Sequence, residues 1–250
     1  MSEVLFMKWT RVGQGPVLCW IHGLGESSRC FHGMSERLPG FAHHLVDLPG
    51  YGRADRVKTP YSLVQAAEQL AAAIREFAPC VLVGHSMGGV VGLFLAEREP
   101  QLLRGLVNVD GNISPGDCGY SGPISRQTRS EFLDRGYQEL LISLQERGAE
   151  DHAHRGYFNS MRLAQPEVVY AHSKELVEWS TGENLARRMA ALKVPSVYIA
   201  GAPGGAAERS LELLHQARVE TRLIRPSGHW PFIDQPEQFT EEVRSWVSRL

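Results

Sequence analysis

Gly84-His85-Ser86-Met87-Gly88 sets a serine between glycines, directly after the apolar run Val81-Leu82-Val83 and at the head of a helical pattern. A serine on so tight a strand-to-helix turn needs small neighbours, and the turn pushes its Oγ outward as a nucleophile would require. The helix start behind it offers free backbone N–H groups and a favourable dipole for an oxyanion. A glycine-rich turn with an N-capping serine would match the same letters, but the preceding strand and following helix favour the nucleophile. His22-Gly23-Leu24-Gly25 follows the run Val17–Ile21, and its Leu24 N–H could join that of Met87 as a second oxyanion donor. Loss of one such donor typically slows acyl transfer ~100- to 1,000-fold. His22 itself reads as a structural residue of its loop. Gly228-His229-Trp230-Pro231-Phe232 puts a histidine late in the chain, between the last strand and the C-terminal helix, where it can take the serine's proton.

Those groups need a scaffold that brings distant loops together. The runs Val17–Ile21, His44–Asp47, Val81–Gly84, Gly105–Val109 and Ser196–Ala200 are mostly apolar rather than alternating, the pattern of parallel strands covered on both faces, and Val219–Ile224 reads as a later strand. Helical patterns alternate with them over Ser62–Phe77, Ser86–Glu99 and Phe239–Leu250. The alternation predicts an α/β fold with a mostly parallel central sheet flanked by helices. It breaks between Asn112 and Ala191, where helix-like segments (Glu131–Glu146, Pro166–Trp179, Glu183–Ala191) occur without a strand. That stretch reads as a helical insertion over the carboxyl edge of the sheet, where open α/β folds bind ligands. Phe132, Leu140, Leu141, Leu144, Phe158, Met161, Val168, Tyr170 and Trp179 supply its apolar side chains, for a pocket or simply for packing.

With His22-Gly23-Leu24-Gly25, Asp47-Leu48-Pro49-Gly50-Tyr51-Gly52-Arg53, Gly84-His85-Ser86-Met87-Gly88-Gly89 and Gly228-His229-Trp230-Pro231-Phe232 in this order, the chain resembles the cap-bearing serine hydrolases of the α/β-hydrolase superfamily. The resemblance implies a core of residues 1–111 and 192–250, with a helical cap at 112–191 inserted after the sixth strand. It implies Ser86 as nucleophile, His229 as base, the Leu24 and Met87 amides as oxyanion hole, and Asp47 as a turn-stabilising carboxylate. One feature departs from the family: the segment Ile199-Ala200-Gly201-Ala202-Pro203-Gly204-Gly205, where the catalytic acid usually follows, holds no carboxylate. Asp110 directly follows another strand and so lies at the same edge. Parallel neighbours sit ~4.8 Å apart, which lets a carboxylate one strand over reach the histidine. Glu208 is its main rival; Asp117 in a Gly/Pro loop and Asp234 as an N-cap rank lower.

Composition limits the alternatives. The 250 residues carry 43% hydrophobic and 22% charged side chains and a formal net charge of −2, which suits one large globular domain and shows no basic excess to favour nucleic acid. The four cysteines form no CxxC pair, and Asp151-His152-Ala153-His154 lacks the ligands of a metal site, so no metal is expected. Without a phosphate or dinucleotide motif, no cofactor is expected. No signal-peptide pattern and no membrane-length apolar run point to a soluble cytoplasmic protein; oligomeric state is unreadable. The expected function is hydrolysis of a carboxylic ester or thioester of a small-to-medium hydrophobic or aromatic group through an acyl-enzyme. The same triad could serve a carbon–carbon hydrolase or a biosynthetic lyase or cyclase, and the fold could serve a small-molecule receptor.

Overall fold

Apolar runs too continuous to leave a face in water need helices on both sides, and the computed structural model, which describes residues 7–250, is built that way. Its seven-stranded sheet has the order β1-β3-β2-β4-β5-β6-β7. The strands are β1 Lys8–Val12, β2 Val17–Ile21, β3 Ala42–Asp47, β4 Cys80–His85, β5 Leu103–Val109, β6 Ser196–Gly204 and β7 Thr221–Gly228. Strands β2 to β7 pair in parallel, and β1 closes one edge antiparallel to β3. Every residue of β4 is buried, so the nucleophile's strand lies at the centre of the core.

The Met87–Arg98 helix is buried from Met87 through Ala96, as a helix that is apolar all round should be. The Leu63–Ile74 helix starts at a capping box, in which Ser62 Oγ accepts from Gln65 N–H and the Gln65 side chain accepts from Ser62 N–H.

The segment between β5 and β6 holds helices and, among the described residues, no strand. Among the described residues it follows the fifth strand, not the sixth, since β1 and the four parallel strands β2–β5 precede it. Its longest helix, Pro166–Thr181, is fastened to the loop after β3. Gln165 bonds both the N–H (2.9 Å) and the carbonyl (2.8 Å) of Val57, and His172 lies between the Tyr51 hydroxyl (2.8 Å) and the Tyr61 carbonyl (2.9 Å). No helix among the described residues is long and apolar enough to cross a membrane.

Candidate active site

Ser86 stands between β4 and the Met87–Arg98 helix at φ 52°, ψ −119°, a conformation non-glycine residues rarely hold. Its N–H donates to Val109 O (2.9 Å) and its carbonyl accepts from Gly89 N–H (2.9 Å), which pins the turn from both sides. Both glycines of the motif are needed for close backbone approach: a Cβ on Gly84 would lie 2.3 Å from Gly88 O, and one on Gly88 would lie 2.3 Å from Ile21 O. Met87 is the first helical residue, so its amide has no intrahelical acceptor.

The loop after β2 packs directly on the serine. A Cβ on Gly23 would come within 3.1 Å of Ser86 Cβ, and Gly25 turns the chain at φ 71° beneath Met161 and Tyr157. His22 has the structural role expected of it: Nδ1–H donates to Gly23 O (2.8 Å) while Nε2 accepts from Leu48 N–H (3.1 Å), as a neutral ring can. Asp47 also acts as a turn carboxylate, accepting from Ser28 N–H (2.6 Å), Arg53 N–H (3.2 Å) and the Arg53 side chain (3.2 Å).

His229 follows β7 and lines the same cleft as Ser86, together with Leu24, Asn112, Tyr120, Tyr157, Leu176 and Trp230. The cleft is narrow, with about 20 Å³ for a water-sized occupant, or about one water. Burial, aided by the nearby His85 ring, pulls the His229 imidazole down to about 3, so it stands neutral, as a base must. Asp110 ends β5 at φ 45°, where aspartate is better tolerated than most residues. It is almost fully buried; Oδ2 accepts from Gly201 N–H (3.0 Å), whereas Oδ1 has no hydrogen bond among the described residues. Burial pushes this carboxyl well up from its ordinary value. Asp110 and His229 both line a second cavity of about 330 Å³. The imidazole therefore borders the Ser86 cleft and the Asp110 cavity alike, although no hydrogen bond joins its ring to either residue among those described.

The glycines after β6 have a spatial reason. A Cβ on Gly205 would lie 2.6 Å from Asp110 Oδ2 and 2.4 Å from Gly201 O, so Asp110 fills the room a side chain there would need. Glu208 is exposed on the first turn of its helix. Asp117 is occupied by Ile113 N–H (2.7 Å), Ala207 N–H (2.9 Å) and Ser210 Oγ (2.6 Å). Asp234 does not cap the last helix; it accepts from Gly228 N–H (2.7 Å) and Ser227 Oγ (3.1 Å), holding the His229 loop instead.

Several residues of the site carry no motif. Asn112, Asp117, Tyr120, Ser121, Tyr157 and Leu176 form the insertion's part of the cleft, whereas Phe132, Met161 and Val168 are core and Trp179 packs on Phe94 (4.9 Å between rings). Glu26 is buried in the same cleft, and no motif of the sequence singles it out. Asp151 caps the His152–Met161 helix through His154 N–H (2.8 Å), and no group of three or more candidate metal ligands exists among the described residues.

Comparison with known proteins places this geometry. The model of the alpha/beta hydrolase family matches residues 17–242. The chain is 30% identical over 251 residues to the pimeloyl-(acyl-carrier protein) methyl ester esterase of Aeromonas salmonicida, covering 95% of this chain and 97% of that one. With the enzyme of the same name from Xylella fastidiosa it shares 28% over 257 residues, 95% and 97% of the two chains. Among solved structures, a thermophilic esterase from Thermogutta terrifontis superposes with a TM-score of 0.80 at 21% identity, over 98% of this chain and 94% of that one. The enol-lactonase from Burkholderia xenovorans gives 0.81 at 17%, over 98% and 97%, a likeness of fold. With a family match running from β2 into the last helix and a relative at 30% identity along nearly the whole chain, this protein belongs to the alpha/beta hydrolase family.

Proposed function

We propose that the protein is a cofactor-independent serine esterase in which Ser86, His229 and Asp110 act as nucleophile, base and acid. The observation that carries this reading is Ser86 at φ 52° on the strand-to-helix turn, in one cleft with His229. Ser86 Oγ attacks the ester carbonyl carbon while His229 takes the hydroxyl proton. The amides of Leu24 and Met87 hold the oxyanion. The intermediate collapses with loss of the alcohol, which receives that proton from His229, and leaves an acyl-serine. Water, deprotonated by the same ring, then adds to the acyl carbon; the acid departs and Ser86 regains its proton. Asp110 supports the histidine in this scheme because it lines the cavity His229 borders and its Oδ1 has no hydrogen bond among the described residues.

The walls of the cleft point to the substrate. Leu24, Tyr157, Leu176 and Trp230 border the space beside Ser86 and suit an apolar acyl chain. The methyl ester in the relatives' names suggests a small alkoxy group on that chain. Rapid mixing with p-nitrophenyl butyrate tests the reading. A burst of p-nitrophenol equal to the enzyme concentration, absent in Ser86→Ala, is the expected result. An undiminished burst in that variant would overturn it.

A further inference from the structure

The buried histidines of this chain differ in what their two ring nitrogens face. His22, His43 and His172 each meet one acceptor and one donor, which a neutral imidazole satisfies: His43 accepts from Trp20 Nε1–H and donates to Leu38 O, and His172 accepts from the Tyr51 hydroxyl and donates to Tyr61 O. His85, immediately before the nucleophile, meets two acceptors. Its Nδ1 lies 2.8 Å from Glu26 Oε2 and its Nε2 lies 2.7 Å from His229 O. Only a ring with a proton on both nitrogens donates to both. Glu26 is saturated in turn: Oε2 also accepts from Gly23 N–H (2.6 Å) and Oε1 from Trp230 Nε1–H (2.6 Å). The two side chains are 1% and 3% exposed. The other groups against His85 are the His229 ring at 4.7 Å, Trp230 at 6.3 Å and Phe232 at 5.0 Å, with neutral His22 beyond Gly23 and the Cys30 thiol near Glu26.

We propose that Glu26 and His85 are positioning residues: as a buried ion pair they tie the oxyanion loop, the nucleophile's strand and the loop bearing His229 into one unit. Gly23 belongs to the first, His85 to the second, and Trp230 and the His229 carbonyl to the third, so this carboxylate–imidazolium pair reaches all three parts of the site. Burial works against the Glu26 carboxylate, but the His85 charge and the hydrogen bonds prevail and hold it at about 2. The proposal rests on the esterase reading above, and the test separates the two.

Nitrogen-15 NMR of histidine-labelled protein at pH 7, with His85 assigned by its loss in His85→Gln, should show both His85 nitrogens protonated. In Glu26→Gln one of them should lose its proton. The same variant should hydrolyse p-nitrophenyl butyrate with kcat about 100-fold lower and KM within about threefold, since misplacement acts on the transition state. If it does not fold, Glu26→Leu with His85→Phe removes both charges at once and should show the same split. A singly protonated His85 in the wild type, or a folded variant with kcat within threefold of wild type, overturns the proposal. Failure of wild-type protein to show a Ser86-dependent burst would instead strike the esterase reading.

Discussion

The surroundings of Asp110 say how to test its place in the triad. Its Oδ2 is held by Gly201 N–H while its Oδ1 is buried with no hydrogen bond among the described residues, a costly arrangement unless another donor reaches it. An imidazole N–H from His229 is the donor the esterase mechanism supplies. Asp110→Asn leaves the volume but removes the acceptor that fixes the histidine's tautomer, so kcat should fall by up to ~10⁴ with the fold unchanged. Glu208→Gln, on an exposed helix turn, should leave kcat within about twofold. Steady-state kinetics on both variants, with circular dichroism to confirm folding, decides between them; the reverse pattern would move the acid to the loop after β6. Sequence alone placed Asp110 at the right edge because it directly follows an apolar run. The reason for Gly205 lay beyond it, since that glycine makes room for a side chain 95 positions earlier in the chain. Glu26 was hidden for a similar reason: in Glu26-Ser27-Ser28 a carboxylate looks solvated, and only the fold brings Gly23, His85 and Trp230 to it.

At the scale of elements, the strands were legible wherever both faces are covered, because burial on two sides leaves a continuous apolar run. The strand β1, Lys-Trp-Thr-Arg-Val, gave no such run because it is an edge strand with exposed positions. The His152–Met161 helix escaped notice because only Ala153, Tyr157, Ser160 and Met161 of its ten residues are buried. That helix and the Ser121–Ser125 turn matter, since they carry or adjoin the Tyr157 and Tyr120 that roof the cleft. A cleft with room for about one water must open to admit an ester, and the Pro166–Thr181 helix is tied down through Gln165 and His172. Amides of residues 119–161 should therefore exchange faster than those of β4 and β5 and gain protection when a phosphonate occupies Ser86. Hydrogen exchange followed by mass spectrometry reads this directly; protection equal to the central strands without ligand would refute a moving roof. The element after β6 offers a second check. Gly205→Ala puts a methyl against Asp110 Oδ2 and against a backbone carbonyl that cannot swing away, and kcat should drop about 100-fold.

For the molecule as a whole, the helical insertion is joined to the loop after β3 in part through His172, kept neutral by burial, which makes the joint acid-sensitive. Burial lowers His172 to about 4 while it bonds Tyr51 and Tyr61. Unfolded, the same ring titrates near 6.5, so between these values the unfolded state binds more protons and stability falls as pH drops. The contribution is full above pH 6.5 and is largely lost by pH 4, about 3 kcal/mol in all. Urea unfolding at pH 7 and pH 4.5 should show this loss in the wild type and a smaller one in His172→Gln; equal pH dependence in the two would remove His172 as the cause. The central claim, that ester cleavage runs through Ser86, has its most direct test in covalent labelling. A fluorophosphonate followed by peptide mass mapping should place the adduct on Ser86 alone, with Ser86→Ala unlabelled at the same concentration. An adduct on another residue, or labelling undiminished in the alanine variant, would contradict the account.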